Sequence, residues 1–455
     1  MGTTEKLVTF VLDTDYSDFP EQAVTLAKNF ILDCLGAMLA ASRERVTRMV
    51  VRYVKDSCGA AEVGVIGGGF RTSLENAAFA NGTSTHAVEL EAVGRYPGSN
   101  PQHVIAAALC VAEKFRLSGK QVLEGVILGE EFQARLSLGA LSPTFRGHCP
   151  VTIYGPPAVA ALASKMMGLS LSQTKMAVGA ALSHSGGFFR QSGTMLHFIE
   201  AGIACRNGIT SVLLAKEGIT ADPDLIEGEW GFCDVFCPGG YDLEIITKDL
   251  GNPYHIVSPG LYIKGHGCCN LNHRTLEALL QLMRDHDVTF EQVDSVNLEV
   301  SPFHLKLLPY ADPINGEQAK FSLQHAHAVA IVDGKTSLRA FSDAGAIDPK
   351  YKEARKKIRV TVRDDWPAGE AQVELKLRDG HSYSGYGGVG VVLKGGIDMP
   401  LTTEELVSRY EDLVRGVLSS RQVQRATDLV LNLEELPDIL ELMELATFGY
   451  RDTKC

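Results

Sequence analysis

At 455 residues the chain exceeds one ordinary domain, and two are expected. A hydrophobic fraction of 45% with 22% charged residues is that of a soluble globular protein. The net charge of -12 argues against a nucleic-acid or anionic-membrane surface, while leaving room for a local cationic pocket that binds an anionic small molecule.

Most of the ten cysteines sit singly in apolar helical runs, as buried free thiols do. No signal peptide precedes them, so no disulfide framework is expected. No uninterrupted apolar run reaches the ~18 residues of a membrane span. MGTTEK at the start and DTKC at the end match no lipidation signal. The expectation is a soluble cytoplasmic protein that binds neither nucleic acid nor membrane.

A short lead-in, 1–18, precedes a strong helix opened by Pro20, whose apolar face carries Val24, Ala27, Phe30, Ile31, Cys34, Leu35, Met38 and Leu39. A second helix follows at 44–56. Gly67-Gly68-Gly69 reads as a turn, because neither a dinucleotide nor a P-loop pattern follows it. Helical patterns recur at 73–92, 101–116, 119–140, 156–167, 171–185 and 199–217, with Ser170 and Gln173 as a capping box. The first ~265 residues therefore read as all-helical.

After Pro259 the composition shifts. A helix is expected at 272–285, and VDSVNLEV (293–300), KIRVTV (357–362) and AQVELKL (371–377) alternate as strands. Asp379-Gly380 signals a hairpin into HSYSGY. Residues 268–398 form a smaller α+β domain in this reading. Thr402 and Glu405 then cap a helix, shorter ones follow near 420–431 and 434–446, and 399–455 return to the helical domain begun by 1–267.

Four polar stretches interrupt the apolar pattern. In NGTSTHAVELEAVGRYPGSNPQHV (81–104), His86, Glu89 and Glu91 lie near a helix end, with Arg95, Tyr96, Asn100, Gln102 and His103 in the broken loop behind them. A histidine with two carboxylates suits proton relay or a metal, but the spacing matches no tight metal motif. Local bonding for His86 and helix-start packing for His103 are the competing readings. In RGHCPVTIYGPPA (146–158), His148 and Tyr154 precede a helix read as starting at the prolines, and His148 suits general acid–base work. In His184 to Gly208, His197 and Glu200 titrate, Arg190 is a candidate carboxylate clamp beside Gln191, and His184 reads as a core histidine. In YIKGHGCCNLNH (262–273), Lys264, His266, Cys268, Cys269 and His273 invite a zinc reading. Adjacent cysteines are poor tetrahedral geometry and a second ligand pair is missing, so no metal is expected and Lys264 is read as a carboxylate-binding or acid–base group.

Taken in order, DCLGAMLAAS (33–42), AAFANGTSTHAVELE (77–91), AAALCVAEKFRLSGKQVLEGVILGEEF (106–132), ASKMMGLSLSQTKMAVGAALSHSGG (163–187), GIACRNGITSVLLAKEGI (202–219) and GEQAKFSLQHAHAVAIVDGK (316–335) resemble the family of 2-methylcitrate dehydratases and cis-aconitate decarboxylases, the MmgE/PrpD family. The resemblance implies a large helical domain built from both chain ends, an inserted α+β domain, a site between them, and a homodimer. It also implies cofactor-free dehydration, decarboxylation or epimerisation of small polycarboxylates. The departures are specific. Relatives read H-A-x-D-x-D-D where this chain has His86-Ala87-Val88-Glu89-Leu90-Glu91-Ala92. Asn100-Pro101-Gln102 replaces His-Pro-Ser. His197 stands at the place of a lysine, and Glu200 at that of a histidine. Lys264 is retained, Gly267 replaces a proline, and Cys269 replaces a histidine.

Each lost charge-assisted contact removes on the order of 1.5–3 kcal/mol of binding. The expected substrate is therefore a carboxylate- or carbonyl-bearing molecule less charged than citrate. The expected catalytic residues are His148, His197, Lys264, His86 and His103, and the expected substrate contacts are Glu89, Arg95, Asn100, Gln102, Tyr154, Arg190, Gln191, Glu200, His266 and Cys269. A lyase is the leading reading. An isomerase, epimerase or cyclase of a secondary-metabolite intermediate, and an inactive binding or scaffolding homologue, are the alternatives.

Overall fold

A computed structural model describes residues 1–94 and 98–448. Two apolar cores organise it. The larger is built by helices Thr3–Asp13, Glu21–Ala41, Gln102–Phe115, Gly119–Gly139, Pro150–Met166, Leu171–Leu182 and Met195–Lys216, and the C-terminal residues Leu406, Tyr410, Val430 and Met443 pack into it. The second centres on a four-stranded sheet and the helices His273–Asp285 and Leu323–Asp333. It also takes in Ala37, Ala41, Ala87, Val88, Leu90 and Phe198 from the N-terminal half, so the two cores meet along the 87–90 segment and the start of Met195–Lys216. The architecture is mostly helical with a smaller α+β part.

In the sheet, Val293–Val300 pairs in parallel with Ile358–Val362 and antiparallel with Ala371–Leu377, which continues through the expected Asp379-Gly380 turn to Ser382–Tyr386. Gly380 sits at φ +95°, which a side chain would strain. The C-terminal return is fastened by Arg409, on helix Thr403–Val414, whose Nε donates to buried Asp33 at 2.6 Å. Burial raises the Asp33 carboxyl's pKa and Arg409 opposes the shift.

Both capping boxes form: Ser170 with Gln173, and Thr402 with Glu405. The Gly67–Gly69 amides bond Ala446 O, Val65 O and Thr447 O, which leaves a turn and no phosphate cradle. Glu21–Ala41 and Met195–Lys216 are long and apolar enough to cross a membrane, and both are mostly buried in the protein. The nine described cysteines are free thiols, with Cys58 exposed and the rest buried.

Three local departures from the sequence reading shape the site. The N-terminal half is not purely helical: Val63–Gly64 pairs with Arg71–Thr72, and Val93–Gly94 with Leu261–Tyr262. Helix Leu74–His86 stops at His86 although AVELEA would continue it. The helix expected at 156–167 opens not at Pro156 but at Pro150, and Pro156 and Pro157 lie inside it. A proline removes the amide that would bond the carbonyl four residues earlier. The two carbonyls so released, Thr152 O and Ile153 O, accept instead from Gly186 N (3.1 Å) and Ser185 Oγ (2.8 Å). The prolines thereby moor the 185–187 loop against the start of their own helix. His184, expected in the core, is exposed because helix Leu171–Leu182 ends two residues before it.

Candidate active site

The site lies where the cores meet. After His86 the chain turns through Glu89, which adopts a left-handed φ of +56°. The two-residue ladder between Val93–Gly94 and Leu261–Tyr262 then holds this turn beside the strand that leads to Lys264. Lys264 Nζ donates to Glu89 Oε2 at 3.2 Å and to Glu91 Oε1 at 2.6 Å. His86 Nε2 lies 3.3 Å from Glu89 Oε2 and 3.5 Å from Glu91 Oε1. The carboxyl, imidazole and ammonium side chains are all at most 4% exposed.

Helix Met195–Lys216 begins four residues earlier than its pattern suggested, which places His197 and Glu200 in its first turns, on one face at i,i+3. His197 Nδ1 sits 2.9 Å from Glu200 Oε2, and the His197 and His86 rings are 4.8 Å apart. Phe198 and Phe321 pack on the imidazoles, and Lys320 stacks over Phe198 while donating to Ala87 O at 2.7 Å. Cys149 caps the Pro150–Met166 helix within reach of Glu200. The glycine at 187 permits this packing, since a Cβ there would fall 2.0 Å from Thr152 Oγ1.

Charges in this cluster are unequal. Burial opposes the Lys264 ammonium, but Glu89 and Glu91 outweigh it and raise its pKa above the ordinary lysine value. Burial alone would raise Glu89, yet Lys264 and then His86 pull it well below the carboxylate range. Glu91 is held well above that range by burial and by the Glu89 charge, with Lys264 too weak to compensate. Although Glu91 makes the shorter contact to Lys264, Glu89 is the carboxylate that also feels His197. The two carboxyls are thus biased in opposite senses, Glu89 towards the anion and Glu91 towards the acid, beside Lys264. A carboxyl biased towards the acid can donate a proton, and an imidazole hydrogen-bonded to a carboxylate, as His197 is to Glu200, can accept one.

The other expected residues make contacts of their own, and His148 directly precedes Cys149 in the chain. His148 is half-buried between Phe188 (centroids 5.6 Å, stacked) and Phe236 (5.4 Å), with Nδ1 3.2 Å from Gly187 O. His103 is fully buried, neither ring nitrogen has a hydrogen-bond partner among the described residues, and burial brings its pKa down to about 3, with the nearby His86 adding to the shift. Asn100 offers its backbone carbonyl to Gln133 Nε2 at 2.9 Å, and the buried Gln102 amide has no partner among the described residues. The Tyr154 hydroxyl donates to Ala140 O at 2.6 Å inside the core. Arg190 is exposed, and Gln191 Oε1 accepts from Thr194 Oγ1 at the mouth of the Met195–Lys216 helix. His266 bonds Thr336 Oγ1 (2.7 Å) and Glu277 Oε1 (3.0 Å) on a separate cavity of about 200 Å³ shared with Arg409 and Glu405. The Cys269 thiol is near enough to the seam to feel Glu89, and burial with that charge pushes it up to about 12. Arg95 lies outside the described residues.

Cys149, Lys320, Phe198 and Phe321 were not singled out from sequence. A cysteine immediately before a proline at a helix start was the one available signal for Cys149.

Fold and site together define a two-core protein with a buried acid–base cluster at the seam. The chain belongs to the MmgE/PrpD family: the N-terminal domain model matches residues 5–244 and the C-terminal domain model residues 266–435. It is 26% identical over 476 residues to the cis-aconitate decarboxylase-like protein oryM of Aspergillus oryzae, covering 98% of this chain and 97% of that protein. It is 26% identical to a cis-aconitate decarboxylase of Aspergillus terreus, over 98% of this chain and 96% of the relative, and 23% identical to the human cis-aconitate decarboxylase, over 97% and 94%. Family and relatives together support a lyase-type activity.

Proposed function

We propose that the chain is a lyase that moves protons between its own side chains and a carbon next to a carboxylate or carbonyl of a small molecule. The observation that carries this is the buried contact of Lys264 with both Glu89 and Glu91, with the hydrogen-bonded His197–Glu200 pair close to His86 beside them. In a dehydration, His197 removes the carbon-bound proton, the electron pair forms the double bond, and Glu91 protonates the departing hydroxyl as water. In a decarboxylation, the carbon–carbon bond breaks to release carbon dioxide, its electron pair stays on the substrate carbon, and Glu91 delivers the proton there. Two facing proton-bearing groups also suit an isomerisation in which one group removes the proton and the other returns one.

Charge decides the substrate class. Glu89, Glu91 and Glu200 face the site, whereas Lys264 is already neutralised by Glu89, and Lys320 is spent on Ala87 O and lies 3.5 Å from Glu44. A tricarboxylate brought to this cluster meets carboxyls, and neither Lys264 nor Lys320 is a spare ammonium group among the described residues. The substrate is therefore a monocarboxylate or a ketone of similar size rather than a trianion. Turnover of cis-aconitate, 2-methylcitrate, monocarboxylates and neutral ketones, followed by proton NMR in deuterated buffer, tests this. Preferential turnover of the tricarboxylates would refute the charge argument.

A further inference from the structure

We infer that Cys149, His197 and Glu200 form a binding site for a divalent ion of the zinc type, and that an ion held there withdraws His197 from proton transfer. The thiol sulfur, an imidazole nitrogen and a carboxylate oxygen of these residues all lie within 4.8 Å of one another. Zinc bonds such ligands at roughly 2.0–2.3 Å, which sets tetrahedral ligand atoms about 3.3–3.7 Å apart, so closing the set takes a shift of about 1 Å at the widest pair. The fold supplies the convergence. His197 and Glu200 project from one helix face at i,i+3, and Cys149 stands at the start of the neighbouring Pro150–Met166 helix.

Burial makes the site selective. The three residues are 1%, 5% and 3% exposed, where an uncompensated dication is costly. Sulfur as thiolate and Glu200 as carboxylate together cancel a 2+ charge, with neutral His197 as the third ligand. A thiolate ligand favours zinc over magnesium or calcium, which take oxygen. A second set, His86, Glu89 and His197, is equally close, but Lys264 Nζ sits 3.2 Å from Glu89 Oε2 and its ammonium repels a cation there.

On binding, the Cys149 S–H bond breaks and its proton leaves to solvent. Sulfur keeps the electron pair and bonds the ion, and the contact between His197 Nδ1 and Glu200 gives way to two metal bonds. Three protein ligands leave the fourth position to water. The inhibitory consequence rests on the proposed role of His197, whereas the ion site itself does not.

Cobalt(II) titration of the full chain carrying Cys58→Ser and Cys455→Ser, which removes the exposed and the terminal thiols, reads binding without reference to turnover. The expected result is one cobalt per chain with a thiolate-to-cobalt charge-transfer band. Adding Cys149→Ser should abolish the band and weaken binding by more than about 100-fold. Glu200→Gln should keep the band and weaken binding, which preserves the test should the Cys149 variant fail to fold. No band in the parent, or an undiminished band with Cys149→Ser, would overturn the site. Zinc should also inhibit turnover, with relief in Glu200→Gln relative to its own metal-free rate. Full turnover by the zinc-loaded chain would overturn the withdrawal of His197.

Discussion

Glu130, Ser99, Gln133 and His255 sit inside the helical core, whereas Glu89, Glu91, His86 and Lys264 sit where that core meets the second one. Both groups are almost fully buried and use nearly the same residue types. In the interior group, burial raises Glu130 to about 8 and lowers His255 to about 4, so both are neutral near pH 7. Their 3.9 Å contact is then no ion pair, and Ser99 and Gln133 satisfy the carboxyl. At the seam a lysine from a distant segment arrives, and burial ends in charge separation: one carboxylate, one ammonium, one acid. Histidine and glutamate in a buried place are thus insufficient to mark a reactive site. What distinguishes the seam is an opposite charge brought in from another element, which sets neighbouring carboxyls to different protonation states.

The contrast breaks most sharply at Lys264. Lys264→Met takes the ammonium from buried Glu89 and leaves it only His86, and should cost about 3–5 kcal/mol in chemical denaturation together with all turnover. Adding Glu89→Gln should restore most of the stability and none of the activity. If the single variant is as stable as wild type, Lys264 does not carry the pair.

The next largest effect on stability belongs to the interior. The folded-state pKa of Glu130 is about 8 in place of 4.5, so the native state keeps a proton that the unfolded chain loses. The cost of that proton appears as pH rises from about 4.5 to about 8 and is complete above it. His255 acts in the opposite sense between about 4 and 6.5, gaining stability as pH rises. The difference between Glu130→Gln and wild type isolates the carboxyl: the variant should gain on the order of 2–5 kcal/mol at pH 8 relative to its advantage at pH 4.5, with turnover intact. A pH-independent difference in denaturation midpoints would contradict this.

Glu91→Gln and His197→Gln should each lower turnover by about 10²–10⁴-fold with melting temperatures near wild type, since acid or base is lost while packing stays. Circular dichroism melts run beside the kinetics check both halves of that statement. Smallest of all, Tyr154→Phe removes one buried hydrogen bond and should cost about 1–2 kcal/mol without changing kcat. A large kcat loss would move Tyr154 from the core into the chemistry.

Much of the fold was legible in the sequence because it rests on local signals: the Ser170 and Thr402 caps, the alternation of 293–300 and 371–377, and the Asp379-Gly380 turn are where the residues put them. The helix end at His86 was not legible. Residues 87–92 favour helix, and only the ladder to Leu261–Tyr262 and the pull of Lys264 on both glutamates override that preference. The role of Pro156 and Pro157 was hidden for the same reason, since the donors that take over their orphaned carbonyls, Ser185 and Gly186, come from about thirty residues away. Within the candidate site, His86, Glu89, His197, Glu200 and Lys264 converge as charge-bearing neighbours. Tyr154 instead bonds Ala140 O in the helical core, because residue type alone does not say which neighbours a buried side chain will meet. Cys149 was invisible as more than a buried thiol until the Met195–Lys216 helix brought Glu200 to it.

The most direct measurement is proton NMR in deuterated buffer on a ladder of substrates running from tricarboxylate to monocarboxylate to neutral ketone, with wild type, Glu91→Gln, His197→Gln and Glu130→Gln side by side. The expected result is turnover or carbon-bound deuterium incorporation on the less charged members. It should be lost in the two seam variants and kept in the interior one. Equal turnover in wild type and both seam variants would show that the buried cluster between the two cores is not where the proton moves.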